Sequence, residues 1–514
     1  MNSCRLATVQ KRVAGGILTA ALTFAAVACG TSSSQPSLRG EVAATANPLV
    51  AQYMISPSRD AQVAVEFGLD TSYGFQTSPQ PTPSGGGSTT VLVAGMQQNS
   101  TYHMRAVVTF TNGGQVVDSD HTFITGPAPA GRIPTLTVTT PAGISPAPGV
   151  ELVGLNPGTS NQLRIVAVDP AGNLIWYYDY DTTLGTATPI KLLPNGHFLV
   201  LLSPGLEKAG AVREIDLAGN TINQFTNDDL NQWLTTAGVN FQAFGIHHDF
   251  IAMDNGHLLL LVSVNKSFTD LPGYPGTTVV QGDAIVDLDP SLKPVWVWSA
   301  FDHLDVNRHP MNFPDWTHCN ALLYLDDGNL LLSVRHQSWL LKIDYANGQG
   351  SGDILWKLGY EGDFTLASGA PADWFYAQHY PDIISPNSTG DFLLAVFDNG
   401  DNRVLDTSGT TCGSAGAPAC YSRPAVFEVN EAAHTAQLNW AYPTVYSFWG
   451  GVAQELPNTN IFFNMSTPAN DSTGARAMEL TQEAIPQVIW QLEVTGQNSY
   501  RTIHLPSLYP EVQW

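Results

Sequence analysis

The stretch Asp315-Trp316-Thr317-His318-Cys319-Asn320, followed by Ser333-Val334-Arg335-His336-Gln337-Ser338, sets imidazoles, an amide and a guanidinium on neighbouring apolar runs. Two further sites, His247-His248-Asp249 and Gln378-His379, open other runs in the same way. Polar groups of this kind are expensive to bury unless they pair with one another or with a ligand. A His/Asn/Arg cluster suits an oxyanion better than a hard metal, since Mg²⁺ and Ca²⁺ take oxygen ligands. Zn²⁺ accepts imidazoles, so a metal-assisted hydrolase stands as an alternative to oxyanion chemistry. Each residue also has a plain structural role open to it. His247-His248 could be a turn pair, His318 and His379 satisfied core histidines, and Arg335 the partner of a nearby carboxylate. Recurrence of the histidines at one position of a repeated unit favours a shared site. His197, His257 and His504 lie by turns or strand ends and read as structural or surface residues.

The elements that must position these groups repeat along the chain. Pro194-Asn195-Gly196-His197-Phe198 recurs as Asp254-Asn255-Gly256-His257-Leu258 and as Asp326-Asp327-Gly328-Asn329-Leu330. A closing strand recurs at Trp176, the Asn223 region, Trp296, Trp356, Trp440 and Trp490. Four-stranded units at this spacing predict an all-β protein with a six-bladed β-propeller over residues 135–514. The first strand of each blade lines the channel, so His248, His318 and His379 are expected to point toward the axis. Asn320, two residues after His318, is expected on the same face, and Arg335 on the next strand. The first unit lacks an opening strand and the last is incomplete after Trp490 except for Arg501-Thr502-Ile503-His504-Leu505. The C-terminal strand is therefore expected to complete the first blade and remove two exposed edges.

Ahead of the repeats, residues 46–126 predict a small β-sandwich, from alternating runs such as Val63–Phe67 and Tyr102–Val108 separated by Pro, Ser, Gly and Asn. A length of 514 residues makes two domains the default. Residues 1–29 read as a lipoprotein-type signal peptide. Arg5, Lys11 and Arg12 precede an apolar run, and small residues lead to Cys29, which cleavage would leave as the lipidated N-terminus. Ordinary signal-peptidase cleavage is the alternative, and residues 30–45 follow as a tether. The expected location is exported, periplasmic or held as a lipoprotein, with the membrane reached through the anchor only. In that oxidising setting Cys412 and Cys420 are expected to form a disulfide, and Cys319 to be a buried thiol. The net charge of −23 argues against nucleic acid. No Gly-rich phosphate loop followed by Lys-Ser/Thr is present, so no cofactor is expected.

His247-His248-Asp249-Phe250, the Trp316-x-His318-x-Asn320 run, Arg335-His336-Gln337-Ser338 with Leu341-Lys342-Ile343-Asp344, Gln378-His379, and Phe397-Asp398-Asn399-Gly400 with Arg403 occur in this order. Together they resemble the bacterial aryl sulfotransferases that use no nucleotide donor. The resemblance spans most of the repeat region and extends to the small domain before it. It implies transfer of a sulfuryl group from an aryl sulfate to a phenolic acceptor, with phenols and aryl sulfates as the small-molecule partners and no metal. By the same resemblance His379 is the residue transiently sulfated. His318, Asn320, Arg335 and His248 match its catalytic surroundings, with His247 and Thr502 as substrate-binding candidates. His248 is favoured over His247 by aligning His248-Asp249 with His379-Tyr380. A non-catalytic, surface-binding propeller is the remaining alternative. The chain departs from the pattern at Cys319, at Tyr380-Pro381, and in having its cysteine pair after the sulfated histidine.

Overall fold

Thr101–Phe110 buries every second side chain along its length, the period of a strand with one face on a core. It pairs with Ala61–Gly68, and short strands complete that sheet. A second sheet holds Glu41–Ala44, Ala51–Ile55 and Thr89–Val93. In this computed structural model residues 38–514 are described apart from 158–160, 205–209, 387–390 and 471–472. The signal-peptide and lipidation expectations, Cys29 included, lie outside the described residues. The tether expected over 30–45 is too long at its C-terminal end. Glu41–Ala44 is already a strand, with Leu38 and Val42 packed on the core beside Tyr53 and Val63.

Six further sheets follow, four of four strands and two of five. Their outermost repeat strands are Leu174–Tyr178, Thr221–Thr226, Pro294–Ser299, Ile354–Gly359, Thr435–Ala441 and Val488–Thr495. These contain the Trp positions and the Asn223 region that mark the repeat in sequence. Their inner strands are Gln497–Leu505, Thr186–Leu192, Gly245–Ala252, Cys319–Tyr324, His379–Pro386 and Val452–Glu455. Each inner strand contacts the next, and Val452–Glu455 contacts Gln497–Leu505 in turn. Gln497–Leu505 pairs with Val150–Pro157, so the C-terminal strand supplies the opening strand that the first unit lacks. Thr135–Thr139 pairs outside Val488–Thr495 and covers that edge.

The contacts do not separate between the two expected domains, at residues 127–134. Val50, Phe67, Trp176, Phe198 and Tyr509 belong to one buried cluster, and Leu38–Trp514 is one compact unit. Tyr509 fastens the C-terminus by donating to the Leu92 carbonyl and accepting from Ala94 N–H. Cys412 and Cys420 form the expected disulfide. No helix among the described residues is long and apolar enough to cross a membrane.

One buried carboxyl of an inner strand makes stability pH-dependent. Burial, helped by the charge of Glu455, raises Asp382 from its ordinary 3.8 to about 6. A carboxyl raised in the folded state stabilises fully below its unfolded pKa, and that contribution is lost as pH climbs through about 6. Asp382→Asn is therefore expected to gain on the order of 2 kcal/mol over the parent at pH 8 and little at pH 4. Denaturant melts at the two pH values measure this, and an equal shift at both would contradict it.

Candidate active site

Five of the inner strands carry a register break at the same end. It falls between Ile246 and Phe250, between Cys319 and Ala321, between His379 and Asp382, between Ala187 and Ile190, and at Tyr500 opposite Gly154/Leu155. Each break is a bulge, which leaves residues out of the ladder and turns their side chains. His248 and Tyr380, within two of these breaks, and His318, just before Cys319, adopt φ of 54°, 48° and 49°. A left-handed backbone costs a non-glycine residue on the order of 1–3 kcal/mol.

His247, His248, His318, Arg335 and His379 line one cavity of ≈ 330 Å³, with Thr188, Phe448, Trp449 and Tyr500 among its other walls. His379 is fixed in one tautomer. Asn399 Nδ2 donates to the carbonyls of Ser447 and Gly450, which turns Asn399 Oδ1 toward His379 Nδ1 at 2.7 Å. An amide oxygen only accepts, so Nδ1 holds the proton and Nε2 the lone pair. Gly450 N–H donates to that Nε2 at 3.2 Å. Gly450 has φ of 62°, and a Cβ there would meet Ser466 Oγ at 2.1 Å, so glycine is required for this approach. Burial, then the charge of Arg335, push the His379 pKa well below its usual range. The ring is neutral and oriented, with its lone pair on Nε2.

Arg335 follows the strand Leu330–Val334 in a short 3₁₀ turn, Arg335–Gln337, rather than lying on the strand itself. Its Nη2 donates to Asp401 Oδ2 at 2.6 Å and to the Phe448 carbonyl at 2.8 Å. Nη1 donates to His336 Nε2 at 2.6 Å, which leaves His336 Nδ1–H for the Asp315 carbonyl. The Nε of Arg335 is buried with no partner among the described residues, a donor suited to an anionic ligand. His318 Nδ1 pairs with Asp315 Oδ2. Burial alone would raise Asp315, but the bond and charge of His318 hold it below the usual carboxylate range.

Asp315, His318 and His336 could each offer one metal-ligand atom within 4.8 Å of the others. Their surroundings do not suit a cation. Arg335 sits directly on His336 Nε2, and burial with the charge of His318 drives the His336 pKa to about 3.

Asn320 and Thr502 stand apart from the cavity wall. The bulge breaks the two-residue period that would put Asn320 beside His318. Its Nδ2 instead donates to the Gln378 carbonyl at 2.7 Å, tying the strand before His379. Thr502 Oγ1 bonds Ser499 Oγ, and Tyr500 is the residue of that strand on the cavity. Arg403 is buried against Asp398 and serves packing. Cys319 is a buried thiol, its pKa raised well above the ordinary value by burial and by Asp283, so it is no nucleophile. His197, His257 and His504 pair with Glu214, Asp287 and Glu151 and are absent from the lining. Sequence reasoning missed Asn399 as the partner of His379, Asp401, Asp283, Tyr500 and Phe448-Trp449-Gly450. The visible signals were the Phe397-Asp398-Asn399-Gly400 run and the aromatic pair ahead of Gly450-Gly451.

Solved structures with similar strand arrangements carry no argument at their levels of similarity. A Bacteroides caccae protein of unknown function is 11% identical, with a TM-score of 0.38, over 69% of this chain and 100% of its own. A streptogramin B lyase is 10% identical, with a TM-score of 0.31, over 70% and 98%. A quinonprotein alcohol dehydrogenase-like protein of Bacteroides thetaiotaomicron is 10% identical, with a TM-score of 0.25, over 91% and 95%. No curated protein matches significantly. The family description Arylsulfotransferase (ASST) matches residues 147–501, which take in all five residues brought together at the cavity, and the chain belongs to the arylsulfotransferase family.

Proposed function

We propose that this cavity moves a sulfuryl group from an aryl sulfate ester to a phenol through a sulfohistidine at His379. The observation that carries the proposal is the state of His379: neutral, its proton held by Asn399, its lone pair at Nε2. In the first half-reaction Nε2 attacks sulfur, the S–O bond to the aryl oxygen breaks, and phenol leaves. In the second, another phenol attacks the same sulfur and returns the electron pair to Nε2, a ping-pong sequence. Charge builds on the sulfuryl oxygens and on the aryl oxygen, so positioned cations and donors supply most of the stabilisation. Arg335 is the donor for the sulfuryl oxygens, joined by the Gly450 N–H once sulfur takes up the Nε2 lone pair to which that N–H donates in the free enzyme. Trp449, stacked on Tyr500 with ring centroids 6.1 Å apart, provides an aromatic wall for the aryl group.

The six sheets are the blades of a propeller, with the cavity at the bulged end of its inner strands. The cyclic succession of inner-strand contacts supports this. The two sheets before it form the sandwich. The protein is an exported lipoprotein, a reading supported by the Cys412–Cys420 disulfide. Incubation with a chromogenic aryl sulfate, with and without a second phenol, tests the reaction. Phenol-stimulated release of chromophore with formation of the new sulfate ester is expected. Release into water alone, abolished by a chelator, would point instead to metal-assisted hydrolysis.

A further inference from the structure

His247, expected to touch substrate, has both ring nitrogens engaged by the protein. Its Nε2 lies 3.0 Å from Asp283 Oδ1, and its Nδ1 lies 2.7 Å from His248 Nδ1. These two contacts restrict the tautomers. A carboxylate accepts, so Nε2 of His247 carries a proton; neutral His247 then accepts at Nδ1, and His248 donates from its own Nδ1. That leaves the lone pair of His248 on Nε2. All three side chains are nearly inaccessible, at 2, 6 and 2% exposure for His247, His248 and Asp283. Asp283 Oδ2 is held separately by Thr317 Oγ1 and by Cys319 N–H at 2.7 Å, so the carboxylate cannot swing away from His247.

We propose that Asp283, His247 and His248 form a proton wire, with Asp283 as a positioning residue that makes His248 Nε2 the atom receiving and returning the phenolic proton. The inference rests on the phenol-to-phenol reading above. As the acceptor oxygen attacks sulfur and the bond to His379 Nε2 breaks, the phenolic proton passes to His248 Nε2. His248 gives its Nδ1 proton to His247 Nδ1. His247 becomes an imidazolium with its Nε2–H against the Asp283 carboxylate, and His248 is neutral again. In the donor half the same transfers run backwards from the wire carrying one added proton (His247 imidazolium, His248 Nε2–H), which the enzyme takes from solvent before its first turnover and inherits from the acceptor half thereafter: the departing phenolate takes the proton from His248 Nε2, and the wire returns to its neutral form. One group serves both halves, as microscopic reversibility requires when phenols enter and leave at one place. The positive charge rests at His247, one ring away from Arg335 and His318, where Asp283 offsets it.

Asp283→Asn tests the wire. The amide oxygen can still accept from Thr317 and Cys319, but the amide N–H now donates to His247 Nε2. That reverses every donor along the chain and puts a proton on His248 Nε2, the wrong tautomer for a base. Exchange between weakly acidic phenols is expected to fall about 100-fold. Exchange between nitrophenols, whose anions need no proton transfer, is expected to fall less than about 10-fold. His247→Gln is expected to show the same selectivity, and Asp315→Asn to lack it. Equal loss for both phenol classes, no loss, or selectivity in Asp315→Asn instead would overturn the wire. A parent enzyme that exchanges no sulfate between phenols would fail earlier, by removing the reaction on which the wire acts.

Discussion

His379→Asn should leave a folded protein that exchanges sulfate between phenols about 10⁴-fold more slowly than the parent, or not at all. The substitution removes a lone pair that Asn399 keeps unprotonated and oriented at Nε2. His248 is equally neutral, since burial and then the charges of His318 and His247 lower its pKa, and its Nε2 lone pair is set through His247, but the wire commits that lone pair to the phenolic proton. Asn is preferred to Ala because Asn399 Oδ1 and Gly450 N–H lose their partner. Each buried polar atom left without a partner costs about 1–3 kcal/mol. A second readout is direct: the parent, incubated with aryl sulfate and no acceptor, should carry one SO₃ on the peptide containing His379. The variant should carry none. Turnover that survives the substitution would remove His379 as the nucleophile.

Much of this site was legible because strand starts repeat. Asn-Gly turns and closing Trp positions mark the sheet boundaries, so histidines separated by tens of residues could be assigned to one end of neighbouring inner strands. What escaped was everything created by the bulges. The placement of Asn320 beside His318 follows from a strict two-residue alternation, which the ladder loses at Cys319/Ala321; Thr502 rested on the resemblance alone, and the break at Tyr500 lies beside it. Bulged residues here carry no consistent Gly or Pro mark; only Pro189 and Pro381 lie within the breaks. The supporting carboxylates escaped for a different reason. Asp283 lies on the third strand of its sheet and reaches Thr317 and Cys319 of the following one. Asp401 and Asn399 lie after a strand end; Asn399 falls within the Phe397-Asp398-Asn399-Gly400 run that carries part of the resemblance, but nothing in that run points to His379. Their roles depend on contacts between sheets, which local periodicity does not encode.

Arg335→Ala separates catalysis from stability. The rate of exchange should fall about 10²–10³-fold, the usual cost of losing a positioned donor to developing negative charge. Arg335→Lys should recover little of it, because one ammonium cannot span His336, Asp401, the Phe448 carbonyl and a ligand at once. The fold also suffers, since Asp401 loses its cation and keeps only the Tyr446 hydroxyl. Burial already raises Asp401 to about 6 with the guanidinium opposing it; without Arg335 it goes higher. A carboxyl raised in this way contributes its stability below the unfolded pKa and loses it as pH climbs through the folded value. Arg335→Ala is therefore expected to be destabilised by about 3 kcal/mol at pH 8 and by clearly less at pH 5. Adding Asp401→Asn removes the stranded charge, so the double variant should regain most of the stability and none of the rate. Recovery of both together would mean that Arg335 acts only by neutralising Asp401, and the sulfuryl oxygens would need another donor.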